Sequence, residues 1–270
     1  MTDLRPNQSV KLLQELHILT RDGKLNQDSR RKLKQVYHLF NFIEPILNEL
    51  IEKKIDFTLV DHGAGKSYLG FIIYDLFFKD KDLGHIYGIE TRQDLVIKTT
   101  ELARDCQFSR MQFLHLSVED SMSSKALPEK INVVTALHAC NTATDDAIKF
   151  GLQKDADYFV LVPCCQAEVA SVLKKNKNAT KNFLSQIWRH PIHTREFGSH
   201  LTNVLRCLQL EAHGYQVTVT ELIGWEHSMK NELIIAKKNG DVNKTKAKEA
   251  LFAILSDLNL AELNSRFFIP

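Results

Sequence analysis

The chain has 270 residues, 44% of them hydrophobic and 25% charged, with a formal net charge of +2. This composition is that of a folded soluble protein, large enough for one sizeable domain and an appendage. The near-neutral charge neither requires nor excludes a polyanionic partner, so any argument for nucleic-acid binding must rest on local patches.

Neither a membrane nor a disulfide framework is indicated. No apolar run approaches the roughly 20 residues that span a bilayer, and the opening MTDLRPNQSV lacks the apolar core of a secretory signal. The cysteines show no CxxC or CxxH spacing, and their odd number argues against complete pairing. They are Cys106, Cys140, Cys164, Cys165 and Cys207. We therefore expect a cytoplasmic protein with reduced thiols and no membrane contact.

Residues 1–54 form an N-terminal helical segment in this prediction. Apolar residues recur at helical spacing up to Ile51, and Asp28 or Ser29 is a plausible N-cap. Pro45 lacks an N–H group and crowds the preceding turn, so we expect it to kink or divide the second helix.

Residues 55–240 alternate short apolar runs with longer amphipathic stretches, which predicts βαβ units and a parallel sheet. Strands are predicted at 56–61, 85–90, 111–117, 131–138 and 157–162, with helices at 66–78, 91–106, 144–153 and 166–174. Two further runs, 216–224 and 231–238, are separated by too few residues for a helical crossover, so they are predicted to pair antiparallel. Residues 241–270 are predicted to add a C-terminal helix and tail.

The stretch VDHGAGKSYLG, residues 60–70, contains the GKS that ends a P-loop. A P-loop needs a glycine five residues before Gly65, because that glycine opens the wide loop whose N–H groups surround the phosphates. Val60 occupies that position, inside the predicted strand. A P-loop ATPase is therefore a distant third among the hypotheses.

The same stretch also fits a nucleoside-binding turn. Gly63 and Gly65 follow an apolar strand that ends in an acidic residue, and Glu90 ends the next predicted strand. Glycines permit a sharp turn and close approach of the backbone to a ligand, while a carboxylate there can accept hydrogen bonds from two ribose hydroxyls. The alternative is a tight turn without a ligand, but the position of Glu90 favours a binding site.

Three motifs follow successive predicted strands in order: DHGAGKSYLG at 61–70, ALHACNTATD at 136–145 and VPCCQ at 162–166. Together they resemble the class I, Rossmann-like S-adenosylmethionine-dependent methyltransferases. Within that class they are similar to the methyltransferase-like branch that includes ribosomal RNA adenine dimethylase domain-containing proteins. The pattern of that branch is roughly DxGCGKGYLS, then LHACGxxTD, then a vicinal Cys-Cys.

The resemblance covers about residues 56–238 and implies an α/β fold with a methyltransferase domain over 55–240. It implies a mostly parallel seven-stranded sheet that ends in an antiparallel hairpin, next to the N-terminal helical segment. The implied cofactor is S-adenosylmethionine, and no metal is expected.

The resemblance also implies a set of cofactor-binding residues. Asp61, Gly63 and Gly65 would hold the methionine end of the cofactor, and Glu90 would bind the ribose. Val118 would contact the adenine ring.

The adenine N6 amino group would donate to Glu119 or Asp120. The sequence departs from the family pattern at Ala64, Ser67, Ser117 and Asn141.

The acceptor is expected beyond the carboxyl end of the fourth strand, beside LHACNTATD. His138 is a candidate base or a backbone-positioned contact. Asp145 could orient His138 or cap the following helix.

Cys140, Cys164 and Cys165 are candidate nucleophiles, because a thiolate can add to a pyrimidine ring before methylation. Two alternatives are a thiolate zinc site with His138, whose spacing is unlike a known knuckle, and small residues that shape the pocket floor.

Residues 174–195 are locally basic, with aromatic residues interleaved, and could follow an RNA backbone. A solvated loop and helix face is the alternative interpretation. Trp188 and Phe197 flank the cations, and Trp225 could stack on a planar substrate.

The sequence predicts a methyltransferase acting on RNA, ahead of protein or small-molecule acceptors. The competing hypothesis is a non-catalytic module that binds the cofactor, RNA or protein. Oligomeric state is not predicted.

Overall fold

A computed structural model describes residues 4–54, 56–137, 141–164, 166–176, 183–222 and 232–269. Within these ranges, seven strands form one sheet in the order β3-β2-β1-β4-β5-β7-β6. The strands are β1 Thr58–His62, β2 His85–Glu90, β3 Met111–His115, β4 Val133–Leu137, β5 Tyr158–Val162, β6 Tyr215–Glu221 and β7 Glu232–Lys238. The first five are the predicted parallel strands, each with ends within two residues of the prediction.

The first five strands are parallel, and β7 inserts antiparallel between β5 and β6. The short connection between β6 and β7 allows no helical crossover, which explains the reversal of direction. The expected fold is confirmed: this is the Rossmann-like class I methyltransferase architecture, a mostly parallel sheet ending in an antiparallel hairpin.

Helices cover both faces of the sheet. They are α1 Val10–Glu15, α2 Gln27–Glu52, α3 Tyr68–Ile73, α4 Gln93–Asp105, α5 Val118–Ser123, α6 Ala143–Gln153, α7 Glu168–Lys175, α8 Pro191–Ala212, α9 Lys244–Asp257 and α10 Asn264–Phe267. A π-helical turn, Tyr74–Phe78, continues α3. Neighbouring strand residues face opposite cores: Leu59 packs with α1 to α4, and Val60 packs with α5 and α6. Burial on both faces explains why the strands are continuous apolar runs.

The N-terminal helices bear on two details of the prediction: the N-cap of α2 differs, whereas for Pro45 only division of the helix is ruled out and a kink stays a prediction. Asn26, with extended backbone, caps α2 by accepting a hydrogen bond from Ser29 N, so neither Asp28 nor Ser29 is the cap. Pro45 does not divide α2, which continues from Gln27 to Glu52. Pro45 and Asn41 are both exposed. Because Pro45 has no N–H to donate to the Asn41 carbonyl, water can hydrate that carbonyl at such an exposed position.

The prediction lacked α8, the 22-residue helix that follows Trp188. Its buried face carries polar residues, among them Asn203, Arg206 and Gln209, which interrupt the apolar stripe. With α7, α9 and α10 it encloses an apolar cluster that includes Trp188 and Phe267. The C-terminal tail thereby packs into the fold, although the predicted domain boundaries stay predictions.

Among the described residues, no helix has both the length and the apolar character needed to cross a bilayer.

Candidate active site

The glycine turn lies between the ends of β1 and β2. Gly63, Gly65 and Ser67 have φ values of 64°, 59° and 50°, a left-handed conformation that glycine adopts without strain and serine does not. Ala64 N donates to Ile89 O over 3.1 Å, which fixes the turn against β2. Gly63 is exposed and Gly65 half-buried, so the turn presents main-chain groups at the ligand edge of the sheet.

Glu90 ends β2 beside this turn, as predicted for a ribose-binding residue. Its Oε2 accepts a hydrogen bond from Gly65 N over 2.8 Å. Arg92 binds the same carboxylate: Nε donates to Oε1 over 3.0 Å and Nη2 donates to Oε2 over 3.1 Å. Burial opposes ionisation of Glu90, but these bonds outweigh it and lower the pKa of the carboxyl group.

Asp61 lies beneath the turn, 3% exposed. Thr135 Oγ1 donates to its Oδ1 over 2.8 Å, and Ser67 Oγ lies 3.5 Å from its Oδ2. Burial raises the pKa of Asp61 to about 6, against a smaller lowering by these hydroxyls. The carboxylate therefore supports the turn from below, linking it to β4.

His62 follows Asp61 at the end of β1 and is also buried. It is 2% exposed, and neither ring nitrogen has a hydrogen-bond partner among the described residues. Its ring meets Phe150 of α6 edge-on, with centroids 4.4 Å apart. Burial lowers the pKa of His62 to about 3, so the imidazole is neutral at physiological pH.

The predicted adenine contacts lie at the start of α5. Val118 is half-buried against the second core, and Glu119 is exposed. Ser117 caps the helix by accepting from Asp120 N over 3.1 Å, and its hydroxyl donates to Asp120 Oδ2 over 2.6 Å. Both Glu119 and Asp120 are exposed, but the Asp120 carboxylate already accepts a hydrogen bond from Ser117.

Several candidate acceptor-site residues lie outside the described residues: His138, Cys140 and Cys165, and with them the zinc alternative. Cys164, two residues after β5, is of intermediate exposure. The candidate residues Asp145 and Cys164 follow neighbouring parallel strands, β4 and β5.

Asp145 does not cap α6: the N-cap position is Thr142, and both carboxylate oxygens of Asp145 bind Arg206. The distances are 2.8 Å from Nε and 2.7 Å from Nη2, and the side chains are 1% and 4% exposed for Arg206 and Asp145. Arg206 Nη2 also donates to Asn141 O over 2.9 Å. One arginine of α8 thus holds both ends of the segment that opens α6.

Asn203, one helical turn before Arg206, extends this buried network. Its Oδ1 accepts from Gln166 Nε2 over 2.9 Å and from Arg206 Nη1 over 3.2 Å. Its Nδ2 donates to Glu232 Oε2, at the start of β7, over 2.7 Å. Helix α8 therefore ties together the chain after β4, after β5 and before β7.

Sequence reasoning missed Arg92 and Arg206, although each left a signal. Arg92 follows Glu90 by two residues, in IETR, where a guanidinium can reach back to the carboxylate. Arg206 stands inside VLRCLQL, an apolar run of a long helix. A charged residue there is expected to be buried and paired. Its partner, 61 residues away, had no local signal.

The basic segment is described only in part, because 177–182 lie outside the described residues, as does Trp225. Trp188 is 1% exposed and stacks on Phe197, with ring centroids 5.2 Å apart. This pair, which flanks the cations in sequence, therefore packs in the helical core. Arg189 and Arg195 are exposed.

Comparison of this chain with known proteins identifies the family to which its sequence is similar. A family model described as a methyltransferase domain matches residues 31–172, more than half of the chain. The Glutathione S-transferase C-terminal domain-containing protein of Mus musculus is 23% identical over 234 residues, covering 80% of this chain and 34% of that protein. The protein of the same name from Bos taurus matches to the same extent. The chain spans about a third of the length of these curated relatives.

Two solved structures align over most of the chain. The Podospora anserina methyltransferase PaMTH1, solved with bound SAH, is 10% identical with a TM-score of 0.48, covering 86% of this chain and 88% of that one. Magnesium protoporphyrin IX methyltransferase (ChlM) from Synechocystis PCC 6803, also with bound SAH, is 14% identical with a TM-score of 0.47, covering 84% and 94%. At such identities, these alignments assign neither a substrate nor site residues.

Proposed function

We propose that this chain, which belongs to the methyltransferase-domain family, transfers the methyl group of S-adenosylmethionine to an RNA acceptor. One observation carries the cofactor part of the proposal: Gly65 N donates to Glu90 Oε2 over 2.8 Å. This contact joins the glycine turn to the acidic residue at the ends of two paired parallel strands. Ligands of open α/β sheets bind outside this edge.

The residues at this edge suit a nucleoside with an amino-acid tail. Gly63 and Gly65, both at positive φ, carry no side chain, and a Cβ at Gly65 would lie 4.0 Å from Glu90 Oε2. We assign the methionine end to this turn, with Asp61 beneath it, and the ribose hydroxyls to Glu90. Lone pairs of a carboxylate accept two such hydroxyl donors.

The adenine is assigned to the start of α5. Val118 supplies apolar surface for the ring, and Glu119 supplies an acceptor for its amino group. Glu119 is favoured over Asp120, whose carboxylate accepts from Ser117.

When bound, S-adenosylmethionine supplies a methyl group activated by a sulfonium, so the protein must position the acceptor and, for a weak nucleophile, remove a proton. We assign proton removal to His138. Asp145 is a positioning residue in this proposal, because Arg206 engages both of its oxygens. Cys140, Cys164 and Cys165 are assigned to the pocket floor.

The RNA acceptor is supported by the surface at the start of α8. Arg189, His190, His193 and Arg195 are exposed there, within 174–195, and cations of this kind follow a phosphate backbone. The narrower resemblance to the branch with ribosomal RNA adenine dimethylase domain-containing proteins fits this acceptor. A cytoplasmic location is part of the proposal, in keeping with the free thiols of Cys106 and Cys207.

The test uses S-adenosylmethionine carrying a tritiated methyl group. The protein is incubated with separate RNA, protein and small-molecule fractions of a cell extract. We expect nuclease-sensitive label in the RNA fraction. We expect none with Glu90→Ala, because that variant lacks the ribose acceptor. Glu129→Ala, at an exposed position before β4, is the matched control and should label RNA normally.

Label in the protein or small-molecule fraction alone would retain the enzyme and overturn the RNA acceptor. Absence of label from every fraction, by a protein that binds S-adenosylhomocysteine, would favour the non-catalytic module.

A further inference from the structure

The Glu90 carboxylate has an occupant in this structure, the side chain of Arg92. The guanidinium donates from Nε to Oε1 and from Nη2 to Oε2, a bidentate fork. The two side chains differ in exposure: Glu90 is 6% exposed, whereas Arg92 is 64% exposed. Arg92 therefore lies on the solvent side of the carboxylate, at the ligand edge of the sheet.

The fork leaves little hydrogen-bonding capacity on Glu90. Main-chain N–H groups take up part of it, Arg92 N donating to Oε1 over 3.0 Å and Gly65 N to Oε2 over 2.8 Å. With the two guanidinium bonds, these fill about four lone-pair sites, the number that a carboxylate has, and Thr91 Oγ1 adds a longer bond to Oε1 over 3.4 Å. A vicinal diol presents two parallel donors, as the guanidinium fork does, so the two groups compete for the same acceptors.

We propose that Arg92 is an intramolecular competitor of the ribose: its side chain must leave Glu90 before a nucleoside diol can bind, which sets the affinity of the cofactor site. This inference rests on the proposed function. It makes Arg92 a residue that controls cofactor affinity without holding the cofactor.

Three features allow Arg92 to leave. Its side chain is mostly exposed, so the guanidinium is rehydrated when it moves. The main-chain donors of Arg92 and Gly65 stay on the carboxylate, so Glu90 remains solvated by hydrogen bonds. Asp94 lies two residues further along the chain and is 68% exposed. Its negative charge acts on Arg92, so it can attract the guanidinium after release from Glu90.

Gly65 also lies beside the Glu90–Arg92 pair. A Cβ at this position would lie 3.6 Å from Arg92 Nη2, in contact with the guanidinium. A side chain at this position would therefore touch whichever group occupies Glu90, the arginine fork or a ligand.

Competition of this kind has a salt signature. Salt screens an exposed ion pair, so rising ionic strength should release Arg92 and strengthen binding of an uncharged-overall ligand such as S-adenosylhomocysteine. A purely structural arginine would not produce this dependence.

The test is calorimetric titration with S-adenosylhomocysteine at low and high KCl, for the wild type, Arg92→Gln and Arg92→Lys. We expect Arg92→Gln to bind roughly threefold to tenfold more tightly than the wild type at low salt, with the difference shrinking at high salt. Arg92→Lys should be intermediate, because an ammonium lacks the fork. The matched control is Arg104→Gln, at a 75% exposed position of α4, which should match the wild type.

A double-mutant cycle with Glu90→Gln locates the effect. The gain from Arg92→Gln should vanish when Glu90 is also replaced, because the competition acts through that carboxylate. Equal or weaker binding by Arg92→Gln, with measurable binding by the wild type, would overturn the inference. Absence of binding by the wild type and both Arg92 variants would instead overturn the proposed function. Binding by Arg92→Gln alone would support both.

Discussion

The two ligand-facing parts of this sheet are built differently. At the ends of β1 and β2, the site consists of a main-chain turn and a carboxylate held by an exposed arginine. At the ends of β4 and β5, it rests on a buried ion pair between Asp145 and Arg206. In the first arrangement, the exposed Arg92 can be replaced by a ligand at Glu90. In the second, the Asp145–Arg206 pair is buried, so neither side chain can exchange its partner without loss of stability. We infer that the cofactor edge is adaptable and that the acceptor edge is fixed.

The largest expected effect is a loss of stability when the buried ion pair at the ends of β4 and β5 is removed. Arg206→Met should lower the free energy of unfolding by about 3–5 kcal/mol, because it leaves the Asp145 carboxylate buried without a counter-charge. Urea denaturation measures this change. Arg195→Met, an exposed arginine of the same helix, should change it by less than about 0.5 kcal/mol.

Replacing both partners sharpens this result. Asp145→Leu combined with Arg206→Met should destabilise less than the sum of the single changes, because no charge then remains buried. Additive effects would contradict coupling between the two residues.

The next effect concerns Asp61 and His62, adjacent residues whose titrations oppose each other. His62 has its folded pKa lowered to about 3, so the unfolded state takes up a proton as pH falls below about 6.5, and stability falls with it. Between pH 7 and 5, the free energy of unfolding should therefore fall by about 2 kcal/mol less in His62→Leu than in the wild type.

Asp61 acts in the other direction. Its folded pKa is raised to about 6, so the folded state takes up the proton first and gains stability as pH falls. Between pH 7 and 5, Asp61→Asn should lack this gain, which is about 1 kcal/mol of unfolding free energy in the wild type. Urea denaturation at both pH values measures the two slopes. Parallel slopes in the wild type and both variants would contradict the assigned burial of these groups.

A smaller effect tests the adaptable edge. Gly65→Ala should cost about 1 kcal/mol of stability, because alanine is strained at its φ of 59°. Gly23→Ala is the matched control, with a φ of +73° and no atom within 4 Å of its added Cβ, and should cost a similar amount. Only Gly65→Ala should also weaken binding of S-adenosylhomocysteine. Equal binding by both variants would separate the turn from the cofactor site.

The smallest expected effect is that of Ser67→Gly. Glycine relieves the left-handed strain at φ 50°, and it loses the long contact from Ser67 Oγ to Asp61. The two contributions offset, so stability should change by less than about 0.5 kcal/mol. A loss above about 2 kcal/mol would mean that the hydroxyl supports the turn strongly.

The same contrast explains what the sequence could predict. The parallel strands and the glycine turn depend on local patterns, apolar runs and glycines, so their positions followed from the sequence. The candidate cofactor residues Gly65 and Glu90 are brought within hydrogen-bonding distance, as their places after neighbouring strands indicated. Antiparallel pairing of β6 and β7 followed from the length of their connection.

What the sequence could not predict depends on long-range contacts. Asp145 read as a helix cap from its position, because nothing nearby in sequence pointed to Arg206. Helix α8 was missed since the polar residues that form the network, such as Asn203, disguise its apolar face. Trp188 flanks cations in the sequence, but tertiary packing places it in a core that includes α9 and α10.

The most direct test of the account is a calorimetric titration of the wild type and Glu90→Ala with S-adenosylhomocysteine, with ATP and Mg²⁺ as the control ligand. The account predicts saturable binding of one S-adenosylhomocysteine by the wild type, none by Glu90→Ala and no heat from ATP. Binding of ATP alone, no binding of S-adenosylhomocysteine by the wild type, or equal binding by Glu90→Ala would contradict it.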